Sequence, residues 1–323
     1  MKDPIIDLKF TTIQEEVPDF VYKSLKKYIV RCNTYYPQPL FLRNSLSRVF
    51  NLPSSDWVLL TNGVDEALRI SLEAFGKNAH LFTPTEYTTA FQFCPYLTTH
   101  YSLIDDRYQI DTSLINGATF FVLANPNNPV GYTHKASIVE LLKNNPQAIV
   151  AIDEIYGEYA PKLSVVDLLP KFNNLIIFRG FSKSYGLAGI RLGYILGKPD
   201  LVKKLMEKTT WSNVSYLSCG IGQIALEHKE YYAKLRLTIL KRKKGLTKLL
   251  EKRKLKIIPS LINTITLKFP SVKDATQFVQ YLAEKRISVN QGEGGGKVGN
   301  DDTLVGFVVG TSAQTDSLRK ALF

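Results

Sequence analysis

Seven short apolar runs in the first two-thirds of the chain constrain its fold more than any other feature. They are WVLL (57–60), AHLFT (79–83), THYSLI (99–104), ATFFVLA (118–124), QAIVAID (147–153), NLIIFRG (174–180) and LGYILG (192–197). Each is short for a helix, and several lack the polar alternation of a strand with one wet face. Between several of them lie stretches with helical apolar spacing, such as VDEALRISLEAF (64–75) and HKASIVELLKNN (134–145). Strand and helix in alternation predict an α/β domain with a mainly parallel sheet covered on both faces.

From about residue 213 the pattern changes. Two helical stretches (218–228 and 230–253) precede a strand pair in LKIIPSLINTITLKF (255–269), a helix (272–285) and ISV (287–289). A glycine-rich loop, QGEGGGKVGN (291–300), a strand in TLVGFVVG (303–310) and a closing helix (312–322) complete the chain. This predicts a second, smaller α+β domain. The first 45 residues are short of strand–helix units and are assigned to it. The expected division is a large domain at 46–212 and a small one formed by 1–45 and 213–323. A chain of 323 residues, 45% of them apolar, can fill two cores.

Much of the net charge of +12 lies in LKRKKGLTKLLEKRKLK (240–256). Leu235, Ile239, Leu246 and Leu250 there fall at helical spacing, which turns the basic residues to the solvated side of an amphipathic helix. No interleaved aromatics or nucleic-acid motif accompany them, so no nucleic-acid partner is expected. No apolar run approaches the roughly 20 residues of a membrane helix, and no membrane association is expected. The N-terminal MKDPIIDLKF carries Lys2, Asp3 and Asp7 and has no signal-peptide core. Cys32, Cys94 and Cys219 are scattered without metal spacing, as in a cytoplasmic protein with reduced thiols and no metal.

In an open parallel sheet, ligands bind beyond the carboxyl ends of the strands. The first such end carries TNGVDEA (61–67). Gly63 permits close approach, and the next helix offers free N–H groups to an anion; an ordinary glycine turn and cap is the alternative. In PTEYTTAF (84–91), Tyr87 can lie flat on a planar ligand or fill a core. NPNNPVG (125–131) makes a rigid turn able to fix one amide. In DEIYGEY (153–159), Asp153 closes an apolar strand, where an unpaired carboxylate is costly. It needs a cationic or N–H partner, from a ligand or from the protein itself. Tyr156 can present its hydroxyl nearby.

FSKSYGLAGIRLGY (181–194) supplies the chemistry. Lys183 sits on a small-residue turn at the ligand end of the sheet. Desolvation and nearby cations lower an amine's pKa and make it a carbonyl nucleophile. Ser182 and Arg191 can join the anion site, because the planar guanidinium suits phosphate. Together these groups fit pyridoxal 5′-phosphate. Its aldehyde would take Lys183. Its ring nitrogen would take Asp153, which keeps it protonated and makes the ring an electron sink. Its ring oxygen would take Asn128 and Tyr156, and its phosphate Gly63, Val64, Ser182 and Arg191. Asp65, in the same turn, completes the candidate set.

NGVDEA, NPNNPVG, DEIYGEY and FSKSYGLAGIRLGY, in this order and spacing, resemble the fold-type-I, class I/II aminotransferases. The nearest resemblance is to the histidinol-phosphate aminotransferase group, with the related threonine-phosphate decarboxylases. It covers residues 55–200 well and the C-terminal lobe more loosely. It implies a seven-stranded, mainly parallel sheet, with Lys183, Asp153 and Tyr156 in catalysis. It also implies amino transfer between an amino-acid or amino-phosphate substrate and a 2-oxo acid. Decarboxylation or elimination on a phosphorylated amino acid is the alternative. The resemblance further implies a homodimer with sites at the subunit interface, where Tyr36 of NTYYP (33–37) would reach the neighbour's phosphate site.

Departures from the family concern mainly the substrate half. Gly306 of GFVVGT stands where a substrate-gripping arginine is usual, and Asn290 of ISVNQ where another is common. KFTTIQEEVP (9–18) replaces the N-terminal Asn-Glu-Asn-Pro motif. Gly180 replaces a serine or threonine, Ile155 a small residue, and PTEY is shifted. Lys297 is a candidate replacement cation.

Overall fold

The structure is a computed structural model that describes residues 5–83, 88–101, 107–292 and 301–322. In chain order, strand β1 (Ile6–Asp7) precedes helices α1 (Asp19–Ile29) and α2 (Leu40–Val49). Then come β2 (Val58–Thr61), α3 (Gly63–Phe75), β3 (Ala79–Thr83), α4 (Thr88–Phe93), β4 (Thr98–Tyr101) and β5 (Phe120–Ala124). They are followed by α5 (Lys135–Asn144), β6 (Ile149–Asp153), β7 (Leu175–Gly180) and β8 (Gly193–Gly197). Helices α6 (Pro199–Met206), α7 (Tyr216–Glu227) and α8 (Lys229–Lys252) lead to β9 (Lys256–Ile258) and β10 (Thr264–Lys268). The chain closes with α9 (Val272–Glu284), β11 (Ile287–Ser288), β12 (Asn290–Gln291), β13 (Leu304–Val308) and α10 (Ser312–Leu322).

All seven apolar runs enter one sheet, in the order β2-β8-β7-β6-β5-β3-β4. Its neighbours are parallel except β8, which runs antiparallel to both β2 and β7. Successive side chains of a strand point to opposite faces, and here both faces are buried. Leu59, Leu81, Phe120, Val122, Ile176, Phe178 and Ile195 pack on one side with Leu68 and Ile70 of α3 and Leu205 of α6. Their neighbours Val58, Leu60, Phe82, Phe121, Leu123, Ile152, Ile177 and Leu196 pack on the other with Leu42, Leu46, Leu141 and Ala225. Outside the edge strand β4, polar alternation is therefore missing because neither face meets water.

Beyond the large sheet, β12-β13-β10-β9 form an antiparallel sheet, and β1 pairs with β11 through Ile6 and Ile287. A separate core gathers Leu8, Ile13, Ile239, Leu246, Leu250, Ile265, Leu267, Phe307 and Leu318. Residues 5–13 thus pack with the smaller sheet, whereas Leu42 and Leu46 of α2 pack under the large one. On α8, Lys241, Lys244 and Lys248 face water as expected. Arg236 instead turns inward and donates to the Ser184 carbonyl at 2.8 Å. Among the described residues no helix is long and apolar enough to cross a membrane.

Candidate active site

The carboxyl ends of β2, β6 and β7 and the start of β8 bring Gly63, Asp65, Asp153, Lys183 and Arg191 together. Asp153 ends β6 and is 2% exposed. Its Oδ1 accepts the Ile155 N–H at 2.9 Å, an N–H partner of the kind such a carboxylate requires. After β7 the chain does not form an α-helix. It turns through Gly186 (φ +68°) and one 3₁₀ turn at Ala188–Ile190, and Arg191 closes that turn in the left-handed region at φ 50°. Lys183 therefore stands on a loop, pinned by the Leu187 N–H to the Phe181 carbonyl and the Phe181 N–H to the Leu192 carbonyl.

The Lys183 Nζ donates to Thr11 Oγ1 at 3.0 Å, and that oxygen lies 2.6 Å from the Tyr156 hydroxyl. Burial lowers the Lys183 pKa most. The charges of Asp65 and Asp153 raise it and that of Arg191 lowers it, so all three lie within electrostatic reach of the amine. Burial also pushes the Tyr156 phenol well above its ordinary range, and its contact with Thr11 partly opposes that shift. Tyr156 is thus a protonated hydroxyl at neutral pH.

At the start of α3, Gly63 takes φ +74°. A Cβ there would lie 2.6 Å from Arg191 Nη2. A Cβ on Gly193 would lie 2.6 Å from the Gly63 carbonyl carbon. Two glycines thus let β8, the α3 N-terminus and Arg191 converge. Arg191 Nη2 donates to Asp65 Oδ2 at 2.8 Å, with both side chains about half exposed. A half-exposed guanidinium beside a helix N-terminus, a desolvated amine and a buried carboxylate form a set of groups that fits pyridoxal phosphate.

The NPNNPVG turn divides its asparagines. Asn125 joins the Thr133 N–H and carbonyl, and Asn127 Nδ2 donates to the Val130 carbonyl at 2.8 Å. Asn128 is half-buried and Ser182 nearly buried. Tyr36 packs its ring 4.3 Å from that of Tyr216 on α7. Tyr87 and Lys297 lie outside the described residues. Gly306 is buried in β13 between Asn290 and Thr266; a Cβ there would meet only Thr266 Oγ1, at 4.0 Å. Asn290 Nδ2 donates to the Lys9 carbonyl at 3.0 Å. The departures at 155 and 180 are coupled by packing. A Cβ on Gly180 would approach Ile155 Cδ1 to 3.0 Å, so the glycine makes room for the isoleucine.

Several site residues escape the sequence reading. Thr11 has no local signal, because it is 172 positions from Lys183. Tyr108 is buried, and the Asp153 charge adds to the burial that pushes its phenol upward, so it too is close. Arg179 interrupts an apolar strand, a signal that a buried acid must face it. It donates to Glu154 through Nε at 3.0 Å and also through Nη2, and to Glu158 at 2.9 Å.

Residues 42–298 match the family described as aminotransferase class I and II. The chain belongs to this family. It is a pyridoxal phosphate-dependent aminotransferase. It is 30% identical to the histidinol-phosphate aminotransferase of Lactococcus lactis subsp. cremoris over 286 residues, covering 86% of this chain and 78% of that protein. The fold is that of fold type I. It superimposes with TM-score 0.86 and 21% identity on the histidinol-phosphate aminotransferase of Sinorhizobium meliloti, solved with pyridoxal 5′-phosphate, over 99% of this chain and 90% of that one. It superimposes with TM-score 0.83 and 21% identity on the L-threonine-O-3-phosphate decarboxylase of Porphyromonas gingivalis, over 98% of each chain.

Proposed function

We propose that this aminotransferase moves an amino group between an amino-phosphate substrate of the histidinol-phosphate type and a 2-oxo acid, with Lys183 as its reactive amine. The observation that carries the reading is the desolvated Lys183 amine, set among Asp65, Asp153 and Arg191. The names of the curated relatives support the substrate class.

When bound, pyridoxal phosphate supplies an aldehyde that takes up the amino group and a ring that delocalises the electron pair left on the substrate α-carbon. Lys183 Nζ would hold the cofactor at rest. Once released by substrate, the same amine would be the base that accepts and returns the substrate's α-proton. Its lowered pKa suits that task, because a base must be neutral at working pH to accept a proton. Asp153 would keep the ring nitrogen protonated. Arg191, Ser182 and the Gly63 and Val64 N–H groups would hold the phosphate. Asp65 would orient Arg191. Tyr156 and Asn128 would face the ring oxygen, and Tyr87 its plane. A cytoplasmic homodimer, with Tyr36 reaching the neighbouring site, completes the reading. The exposed aromatic pair Tyr35 and Trp211, with ring centroids 5.3 Å apart, supports a second copy docking there.

The test has two parts. Purified protein loaded with pyridoxal phosphate is reduced with borohydride, and its peptides are weighed. The adduct is expected on Lys183 and absent from Lys183→Ala. The protein is then offered amino compounds, phosphorylated ones included, with 2-oxoglutarate. Glutamate is the expected product. Release of carbon dioxide without glutamate would replace this reading with a decarboxylase.

A further inference from the structure

We propose that Thr11 is a positioning residue that holds the Lys183 amine for reaction and ties it to the smaller sheet through the N-terminal strand. The inference rests on the reading that Lys183 is the reactive amine. Thr11 is 9% exposed, and its single hydroxyl oxygen meets both Lys183 Nζ, at 3.0 Å, and Tyr156 Oη, at 2.6 Å. A lysine amine has three donors and no acceptor when charged. A hydroxyl oxygen beside it therefore favours the charged form and fixes where the amine points. The threonine is itself stiff, because β-branching restricts its χ1 rotation.

The backbone on which Thr11 sits is held on both sides. Toward the large sheet, Thr12 Oγ1 donates to the Ser182 carbonyl at 2.6 Å, one residue before the lysine. Toward the smaller sheet, fully buried Asn263 donates its Nδ2 to the Thr11 carbonyl at 3.3 Å. Val308 N–H donates to the Leu8 carbonyl and Leu8 N–H to the Ser288 carbonyl, each at 2.9 Å. Asn290 Nδ2 holds the Lys9 carbonyl. Residues 6–12 thus form a strap from β11, β12 and β13 to the amine. Apart from the bond to the Ser182 carbonyl, none of these contacts involves a group proposed to bind phosphate or the ring nitrogen. A flexible lysine would otherwise sample several rotamers after substrate displaces it. The strap returns it to one place.

The other charged or titratable groups facing Lys183 are Asp65, Asp153, Arg191 and Tyr156. Substitution at position 11 removes none of these charges, although Thr11→Val also takes away the Tyr156 hydroxyl's partner, which Thr11→Ser retains. The experiment titrates Lys183 in cofactor-free protein by competitive acetylation across pH, read from the mass of the peptide containing it. Thr11→Val keeps the shape and removes the oxygen. Its Lys183 midpoint is expected about one pH unit below wild type, because a hydrogen bond to a charged group is lost. Thr11→Ser is expected to restore the midpoint. In the loaded enzyme, kcat of Thr11→Val should fall about tenfold, because lost orientation outweighs the larger neutral fraction of the amine, with KM little changed, since Thr11 is assigned no contact with substrate. Thr11→Ala stands in where the valine variant does not fold.

Equal midpoints in wild type, Thr11→Val and Thr11→Ser would overturn the proposal. Borohydride trapping separates this failure from that of the functional reading. An adduct on Lys183 with unmoved midpoints removes Thr11's role alone. Absence of any adduct in wild type removes the functional reading, while the midpoints still report whether Thr11 holds the amine.

Discussion

Gly63 and Gly193 decide how closely β8 and the first turn of α3 approach each other. The obstacle to a side chain differs between them. At 193 a methyl group would meet backbone, the Gly63 carbonyl carbon at 2.6 Å and the Val64 nitrogen at 2.9 Å, neither of which can swing aside. At 63 it would meet the end of Arg191, which can move, but the φ of +74° also disfavours any L side chain. Gly193→Ala is expected to cost about 1–3 kcal/mol of unfolding free energy by overpacking. Gly63→Ala is expected to cost about 1–2 kcal/mol and to displace Arg191 from the α3 N-terminus. Its larger effect should be on pyridoxal phosphate affinity, at least tenfold weaker by absorbance titration. Unchanged affinity in Gly63→Ala would remove Gly63 and Arg191 from the phosphate site.

At the scale of elements, Arg179 joins β7 to the turn after β6. Its guanidinium is 5% exposed and holds Glu154, Glu158 and Ser164 Oγ, while Glu154 Oε1 accepts the Val165 N–H at 2.7 Å. That network fixes the turn carrying Ile155 and Tyr156. Removing one partner strands a buried charge, so Arg179→Ala should cost about 3–5 kcal/mol. Arg179→Met with Glu154→Leu should recover much of it, measured by denaturant unfolding. Recovery to no degree would mean that the pair acts through shape rather than charge. The strands on either side were legible in the sequence because both faces of the sheet are buried, which leaves apolar runs that need no context. The motifs at their ends were legible because glycine, proline and a lone lysine have few alternative uses there. The strap was not. Thr11, Thr12 and Asn263 are ordinary polar residues whose partners are set by tertiary packing between distant segments. Helices α1 and α2 also escaped, since they precede the strand–helix alternation that made the rest readable.

Across the whole molecule, two properties follow from where charge and aromatic surface lie. Lys243 on α8 donates to the carbonyls of Ser260 and Ile262 at 2.6 and 2.7 Å, clamping the turn before β10, and burial pushes its pKa down to about 7. In the unfolded chain the same amine titrates near about 10.4. Between these values the unfolded state binds a proton that the folded state does not, so stability rises with pH across this window. Wild type should gain about 2 kcal/mol over Lys243→Met between pH 7 and pH 9, measured by denaturant unfolding at each pH. A constant difference would mean that the two carbonyls keep the amine charged. The aromatic surface bears on assembly. Tyr35 and Trp211 pack ring against ring at a tilt while 73% and 69% exposed, and Tyr22, Val30 and Leu40 are also exposed. A chain of net charge +12 repels its own copies, so association requires apolar burial strong enough to offset that repulsion. Exposed aromatics are the side chains best suited to supply it. Trp211→Glu adds charge at the centre of that pair without touching either core. Light scattering should then find the wild type at twice the chain mass and the variant at the chain mass. Activity should fall with dimer content, because Tyr36, one residue from Tyr35, is the group proposed to complete the neighbouring site. A variant that stays dimeric would move the interface elsewhere and leave Tyr36 without that role.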